Sequence, residues 1–395
     1  GNGVTISIAD TAAAIAAAAA TLATLHAEGR LGSVTAVNQS AATVAGAGAA
    51  LHDLGATATI SDTAADVAAA LDALQPLAAT GVLTAITLSD GGTPDLTVAL
   101  AQLTTDADVL GLMAGQFSYV VSDSSAAIAA DLGDAGSHIL ALNQAASLHT
   151  IDAAGGVLEV SAATLQASGV DDDPTAALTR LAPGTTLVAT AVAVADFTAL
   201  AGLQVVPTGF RAADTGDAIA ADLAKGSGGG SALLAHLGSL AAVAPISTEP
   251  LDYATATAAH VDDGAGSVFS LMTAPSLTVT GVAVGNLAAL LTPALDVVLP
   301  TAVSVSDTAA AIEADLGGAN PALLQYRASV TAIAASPGGD TISLDAGHAL
   351  ATGVDDGPGS VFDVLSGAGL AVTGALVGQL AGLAALGITP ASVAD

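Results

Sequence analysis

The chain has 395 residues and is 52% apolar, yet it carries five Phe, three Tyr and no Trp, so any core must be built from Ala, Val, Leu and Ile in thin, close layers. Five Lys and Arg stand against 36 Asp and Glu, and the formal charge of −31 repels phosphate backbones and anionic lipid, which argues against nucleic acid as a partner. No Cys is present, which excludes disulfides, thiolate chemistry and Cys-based zinc sites, and the longest apolar run, residues 12–25, is too short and Ala-rich for membrane insertion.

In chain order, the first predicted strand runs into IADTAAAI at Asp10. The same junction, an extended run ending in Asp and then an Ala-rich helix, returns as ISDTAADV at Asp62, VSDSSAAI at Asp123, AADTGDAI at Asp214 and VSDTAAAI at Asp307, with VAD at Asp395. Each Asp is predicted to be the helix N-cap, because its carboxylate can accept the unpaired N–H groups of the first turn. Five and nine positions on fall Val67 and Leu71, Ile128 and Leu132, Ile219 and Leu223, and Ile312 and Leu316, one buried stripe per short helix, with Gly133 and Gly317 as C-caps. Strands are predicted before these junctions (57–60, 119–121, 303–305) and at 34–37, 83–88, 96–98, 157–160, 330–333 and 341–344, separated by Gly91-Gly92, Gly155-Gly156 and Pro337-Gly338-Gly339 turns.

The last four Asp junctions are 91, 93 and 88 residues apart, and a second marker keeps the same beat: GVDDDP at Asp171, HVDDGAGSVF at Asp262 and GVDDGPGSVF at Asp355. Each is followed by a helix and then by an extended stretch at Leu187, Leu277 or Leu370. Two markers in phase indicate stacked units that bury surface against neighbours. The expected fold is therefore α/β, an elongated repeat solenoid of short parallel strands and short Ala-rich helices. Three strand-and-helix coils of about thirty residues are expected per unit, with right-handed crossovers. The organisation divides as 1–116, irregular repeats with Asp markers 52 and 61 apart, then repeat units 117–209, 210–301 and 302–395. Gly226–Gly230 is expected as a loop inserted in a continuous array, and both termini fall inside units, as in a piece of a longer protein.

The candidate metal ligands are Asp171 and Asp172, Asp262 and Asp263, and Asp355 and Asp356: adjacent carboxylates beside Gly or Pro turns supply the oxygens and bends that calcium requires. The competing expectation is that Asp171, Asp262 and Asp355 simply cap helices. No EF-hand spacing occurs, and the G-G-x-G-x-D pattern of calcium β-rolls is only approached at residues 91–95. The seven His are scattered without HxH or HExxH spacing, and neither G-x-S-x-G nor S-x-x-K is present, so no catalysis is expected. A secreted polysaccharide-acting enzyme lacks the aromatic platforms usual beside a sugar. An ice-binding module lacks ranks of Thr at one strand position.

VSDTAAAI, ISDTAADV and VSDSSAAI, with acidic turns and no Cys, resemble the Ala-rich repeat tracts of large exported bacterial surface proteins: calcium-associated adhesins, biofilm-matrix proteins and surface-layer proteins. The resemblance spans nearly the whole chain. It implies an extracellular or cell-surface location, a structural role as stalk, matrix or lattice component, calcium dependence, and partners that are further repeats, other copies or a surface polysaccharide.

Overall fold

The computed structural model describes residues 5–226, 230–245, 250–262, 266–272, 277–291, 299–336, 341–356, 358–366, 368–386 and 392–394. The chain folds as a mixed α/β protein in two compact units, residues 1–189 with 199–208 and residues 190–198 with 209–395. All of its paired strands with described register run parallel.

In the first unit the strands are β1 (Ile6–Asp10), β2 (Leu31–Gln39), β3 (Thr57–Asp62), β4 (Leu83–Leu88), β5 (Asp95–Val98), β6 (Met113–Ala114), β7 (Ser118–Ser124), β8 (Leu148–Ala154), β9 (Val157–Ser161) and β10 (Thr186–Val192), the last running past residue 189. One sheet has the order β1-β2-β3-β4-β6 and a second the order β5-β7-β8. The chain therefore steps into the second sheet at β5, returns to the first at β6, and steps out again at β7. In the second unit lie β11 (Gly209–Asp214), β12 (Leu240–Pro245), β13 (Leu251–Asp252), β14 (Thr278–Val282), β15 (Ala302–Asp307), β16 (Val330–Ala335), β17 (Thr341–Asp345), β18 (Leu365–Ser366), β19 (Gly369–Thr373) and β20 (Ser392–Ala394). Strands β11 and β12 pair, β13-β14-β15-β16-β18 form one sheet, and β17-β19-β20 form another. The same weave recurs: β17 leaves for the next sheet and β18 comes back.

This corrects the expected count of three coils per unit. From β15 to β19 the chain makes five extended segments, because the residues around the DD marker form a closed loop and a single 3-10 turn (Phe362–Val364) that return the chain to the preceding sheet instead of a helix that advances it. The corresponding turns are Ala177–Arg180 and Phe269–Leu271. The stretch predicted as a helix from Leu376 to Leu386 is a 3-10 turn (Val377–Gln379) running into Leu380–Leu383. The predicted turn at 337–339 and most of the GSGGG segment lie outside the described residues.

The predicted helix stripe is the core. Val67, Leu71, Ile128, Leu132, Ile219, Leu223, Ile312 and Leu316 are all at most 3% exposed, facing inward-pointing strand residues such as Ile60, Val121 and Val305. Alternation along a parallel strand sends one set of side chains to this layer. Small residues set its thickness. A Cβ added at Gly48, on the helix Ala41–Asp53, would stand 2.9 Å from Leu77 Cδ2 on the helix Ala64–Ala79, so Gly at that point lets the two helices close. Gly133 and Gly317 occupy the C-cap positions.

Candidate functional site

The landmark aspartates are not helix N-caps. Asp10, Asp62, Asp214 and Asp307 end their strands and Asp123 stands one residue before the end of its own, and the hydroxyl one residue later caps the helix: Thr11, Thr63, Ser124, Thr215 and Thr308 accept the N–H three residues on; Asp395 lies outside the described residues. In Asp62, Asp123, Asp214 and Asp307 the carboxylate is divided between two coils. One oxygen accepts the N–H of the following Ser or Thr, as in Asp62 Oδ1 to Thr63 N, 2.9 Å, and Asp307 Oδ1 to Thr308 N, 2.8 Å. The other reaches back to the residue that opens the preceding coil's helix or turn: Ala41 N to Asp62 Oδ2 is 2.8 Å, Leu100 N to Asp123 Oδ2 3.0 Å, Val194 N to Asp214 Oδ2 2.8 Å, and Val284 N to Asp307 Oδ2 2.9 Å. Gln39 Oε1 and Asp90 Oδ2 do the same for Ala12 and Ala64. Asx geometry at a strand end aims one oxygen along the chain and one across it, and a helix start offers several orphan donors, so a hydroxyl and a carboxylate share them.

A third aspartate series, in the same phase, has no counterpart in the sequence reading. Asp131, Asp222 and Asp315 stand 91 and 93 residues apart in the A-D-L that closes each helix. Asp222, 1% exposed, accepts from Ser231 Oγ (2.8 Å), Ala232 N (3.0 Å), Leu233 N (3.0 Å) and Lys225 Nζ (3.2 Å). Asp315 accepts from Ala322 N (2.8 Å) and Leu323 N (3.1 Å). Asp131 takes Ser137 Oγ (2.7 Å), His138 N (3.0 Å) and Ile139 N (3.0 Å). Burial pushes the carboxyls of Asp131 and Asp222 up, but these donors outweigh it and hold both below the usual carboxylate value. The recurrence of ADL at a fixed beat was the signal available in the sequence.

The six candidate calcium ligands do not act alike. Asp171, Asp262 and Asp355 are buried, at 0, 7 and 2% exposure. Their loops are closed by backbone bonds that repeat in register: Ala177 N to Gly169 O, Val268 N to His260 O, and Val361 N to Gly353 O, at 2.9, 2.9 and 2.8 Å. Gly169 and Gly353 have φ of +81° and +85°, and His260 holds the same left-handed place at +66°. Asp171 caps no helix. It accepts Val205 N with both oxygens, at 3.0 and 3.3 Å. Burial pushes its carboxyl up to about 6 against that bond, and the Asp172 charge adds to the rise. Asp172 and Asp356 are exposed and each accepts the N–H of its own loop glycine, Gly169 at 2.8 Å and Gly353 at 2.9 Å. Asp263 lies outside the described residues. Among the described residues no three His, Asp or Glu side chains gather in a way that could hold a metal ion.

Two further polar clusters lie in the first unit. Asp106 is 3% exposed, its Oδ2 has no hydrogen-bond partner among the described residues, and burial followed by the nearby Asp72 carboxyl raises its pKa. Asp72, which accepts from Gln102 Nε2 at 2.9 Å, is lowered. The pair thus holds one proton, on Asp106, over a wider pH range than an isolated carboxyl would. Nearby, His138 Nδ1 lies 3.1 Å from Asp131 Oδ1 and its Nε2 3.2 Å from Thr104 Oγ1, at an open apolar groove of about 380 Å³ lined by Leu103, Ala107, Leu110, Tyr119 and Leu142. The row has the order of an Asp-His-hydroxyl relay, but Thr104 sits within the helix Leu100–Thr105, where the neighbouring N–H groups turn toward helix carbonyls and form no oxyanion cradle. Asp131 moreover does there what Asp222 and Asp315 do beside Ala232 and Ala322, where no His stands. The row is accounted for as a helix start.

No protein-family model, curated protein or solved structure matches the chain.

Proposed function

We propose that the chain is a structural repeat segment: a solenoid of short parallel strands and Ala-rich helices that serves as stalk, matrix or lattice component of an extracellular or cell-surface protein, stabilised by calcium and joined to further copies of the repeat. The observation that carries this is where the recurring carboxylates go. Asp62, Asp123, Asp214 and Asp307 each tie their own strand end to the start of the preceding coil, and Asp222 and Asp315 tie a helix end to the next helix start. A chain whose in-phase polar residues are engaged in holding coil to coil is organised for continuity. Calcium enters through charge. A formal −31 opposes compaction, and the exposed Asp172 and Asp356, with the other surface acids, offer oxygen ligands that could be shared with a divalent ion.

The test is a thermal melt read beside light scattering, in EDTA and in millimolar calcium, against NaCl of equal ionic strength. Calcium is expected to raise the melting temperature beyond the NaCl control and to increase scattering mass. Curves that coincide with the NaCl control would remove calcium from the proposal. Turnover of a polysaccharide by the purified chain would remove the structural role.

A further inference from the structure

One buried carboxyl in this molecule stands where the repeat elsewhere puts leucine. Counted from the N–H that a landmark carboxylate clasps, the sixth residue on is Leu200 after Val194 and Leu290 after Val284, at 0 and 5% exposure; after Leu100 it is Asp106, at 3%. Asp106 joins the short helices Leu100–Thr105 and Ala107–Leu110, and both pack on the helix Ala64–Ala79. The seam between them is polar. Gln102 Nε2 donates to Asp72 Oδ1 at 2.9 Å, Gln75 Nε2 donates to Asp108 Oδ2 at 2.9 Å, and Gln75 Oε1 accepts the Val109 N–H at 3.0 Å. Asp106 lies one turn on from Gln102 along the same helix face, its N–H bonded to the Gln102 carbonyl at 2.9 Å, and its side chain meets the Asp72 carboxyl that Gln102 holds.

Two carboxyl groups in contact make a hydrogen bond only when one of them carries a proton, because an ionised carboxylate accepts and does not donate. Asp106 Oδ2 has no donor among the described residues, and no Lys or Arg occurs in the sequence between Arg30 and Arg180. The other titratable groups on the elements packed against these helices have partners of their own. Asp66 takes the Thr63 hydroxyl, Asp108 takes Gln75, Asp123 on β7 takes the Leu100 N–H, and Asp131 takes Ser137 Oγ with the N–H groups of His138 and Ile139. His138 is turned to Asp131 and Thr104, and Tyr119 on β7 lines the apolar groove. Burial first, and then Asp72, hold the Asp106 carboxyl above its ordinary value against a smaller opposing pull from the Thr105 hydroxyl.

We propose that Asp72 and Asp106 form a proton-operated latch: one proton between them holds helices 100–105 and 107–110 on the helix 64–79, and its loss at higher pH releases them. A second carboxylate charge created inside the seam has neither a cation nor a donor to meet it, so the ionised pair is relieved by letting water in. The same two helices supply Leu103, Ala107 and Leu110 to the groove beside Tyr119, which opens as they leave.

Amide hydrogen exchange of the full chain in EDTA, corrected for the intrinsic pH dependence of exchange, tests this at the Val109 N–H with the Ala311 N–H of the second unit as reference. The closed pair keeps its proton to a higher pH than the open one. Protection of Val109 is therefore expected to be full below the ordinary carboxyl value of 3.8, to fall by up to about tenfold per pH unit above it, and to level off past the raised folded value, while Ala311 does not follow. Asp106→Asn supplies an N–H to Asp72 at every pH, and Asp106→Leu restores the residue found at 200 and 290; both should remove the slope at Val109. A carbon-13 titration of the wild-type Asp106 carboxyl, which needs no variant to fold, should give an inflection above 3.8. Protection of Val109 that is flat in the wild type, a slope that persists in Asp106→Asn, or an Asp106 inflection at or below 3.8 overturns the latch. So does millimolar calcium that restores high-pH protection in the wild type alone, since the pair would then be held by a cation in place of the proton.

Discussion

At the residue scale the molecule sorts its acids by what faces them. Asp222 is nearly inaccessible and accepts four hydrogen bonds, so removing its carboxylate leaves the buried Leu233 N–H, the half-buried Ala232 N–H and the buried Ser231 hydroxyl without that acceptor. Asp222→Ala is expected to cost about 2–4 kcal/mol in a denaturant titration at pH 7. Because its folded pKa lies below the unfolded one, the stabilisation is full above the unfolded carboxylate value and fades as pH falls through the folded value; the variant and the wild type should converge in strong acid. Asp171 has the opposite sign. Folded, it keeps its proton to about pH 6, against 3.8 for the unconstrained group, so the native state binds more protons in that window and stability declines as pH rises through it. Asp171→Asn keeps an oxygen for the Val205 N–H and abolishes the titration. Its melting temperature relative to wild type should climb between about pH 4 and pH 7, and a difference that stays flat across the window would show that Asp171 does not carry a shifted proton.

At the scale of the element, each helix start draws on two sources, a hydroxyl from its own coil and a carboxylate from the next. The two can be separated by hydrogen exchange. Thr308→Ala is expected to cost about 1 kcal/mol and to deprotect Ala311, whose N–H it caps at 3.2 Å. Asp307→Ala should instead deprotect Val284, 23 residues away, through the lost 2.9 Å bond. If Val284 exchanges alike in both variants, the carboxylate is no clasp between coils. Strand and helix positions were legible in the sequence because period-2 and period-3.6 patterns survive in an Ala-rich chain: the strands predicted at 83–88 and 341–344 are observed as Leu83–Leu88 and Thr341–Asp345, and all four i, i+4 pairs are buried. The identity of the cap was not. Asp and the Thr or Ser after it are both strong N-cap residues, and only the backbone path shows that Asp is still in the strand while the hydroxyl stands at the first turn.

Across the whole molecule the dominant fact is charge. With −31 spread over a chain that has five basic side chains, screening alone should stabilise it, so the melting temperature should rise with NaCl before any divalent ion is added. A melting temperature insensitive to salt would mean that the acids are too well separated or too well bonded to repel. The repeat also explains why the DD loops do not read as they look. Adjacent carboxylates at a glycine turn suggest a cation site, but the first of each pair is buried in a loop closed by a residue eight positions further on, as Ala177 closes on Gly169 and Val361 on Gly353. The second, in Asp172 and Asp356, bonds its own loop glycine.

Sequence alone determined the beat of this protein: spacings of 91 and 93 residues, the Asp-hydroxyl junctions and the apolar stripes follow from local patterns that a linear text preserves. Which coil each carboxylate serves, which strands share a sheet, and why β17 leaves a sheet to which β18 returns were decided by tertiary structure. The reason is that a hydrogen bond spanning 20 or more residues, such as Val194 to Asp214, and a choice between two parallel neighbours both depend on where distant segments lie, and parallel pairing leaves no mark on the residues that make it beyond their being apolar.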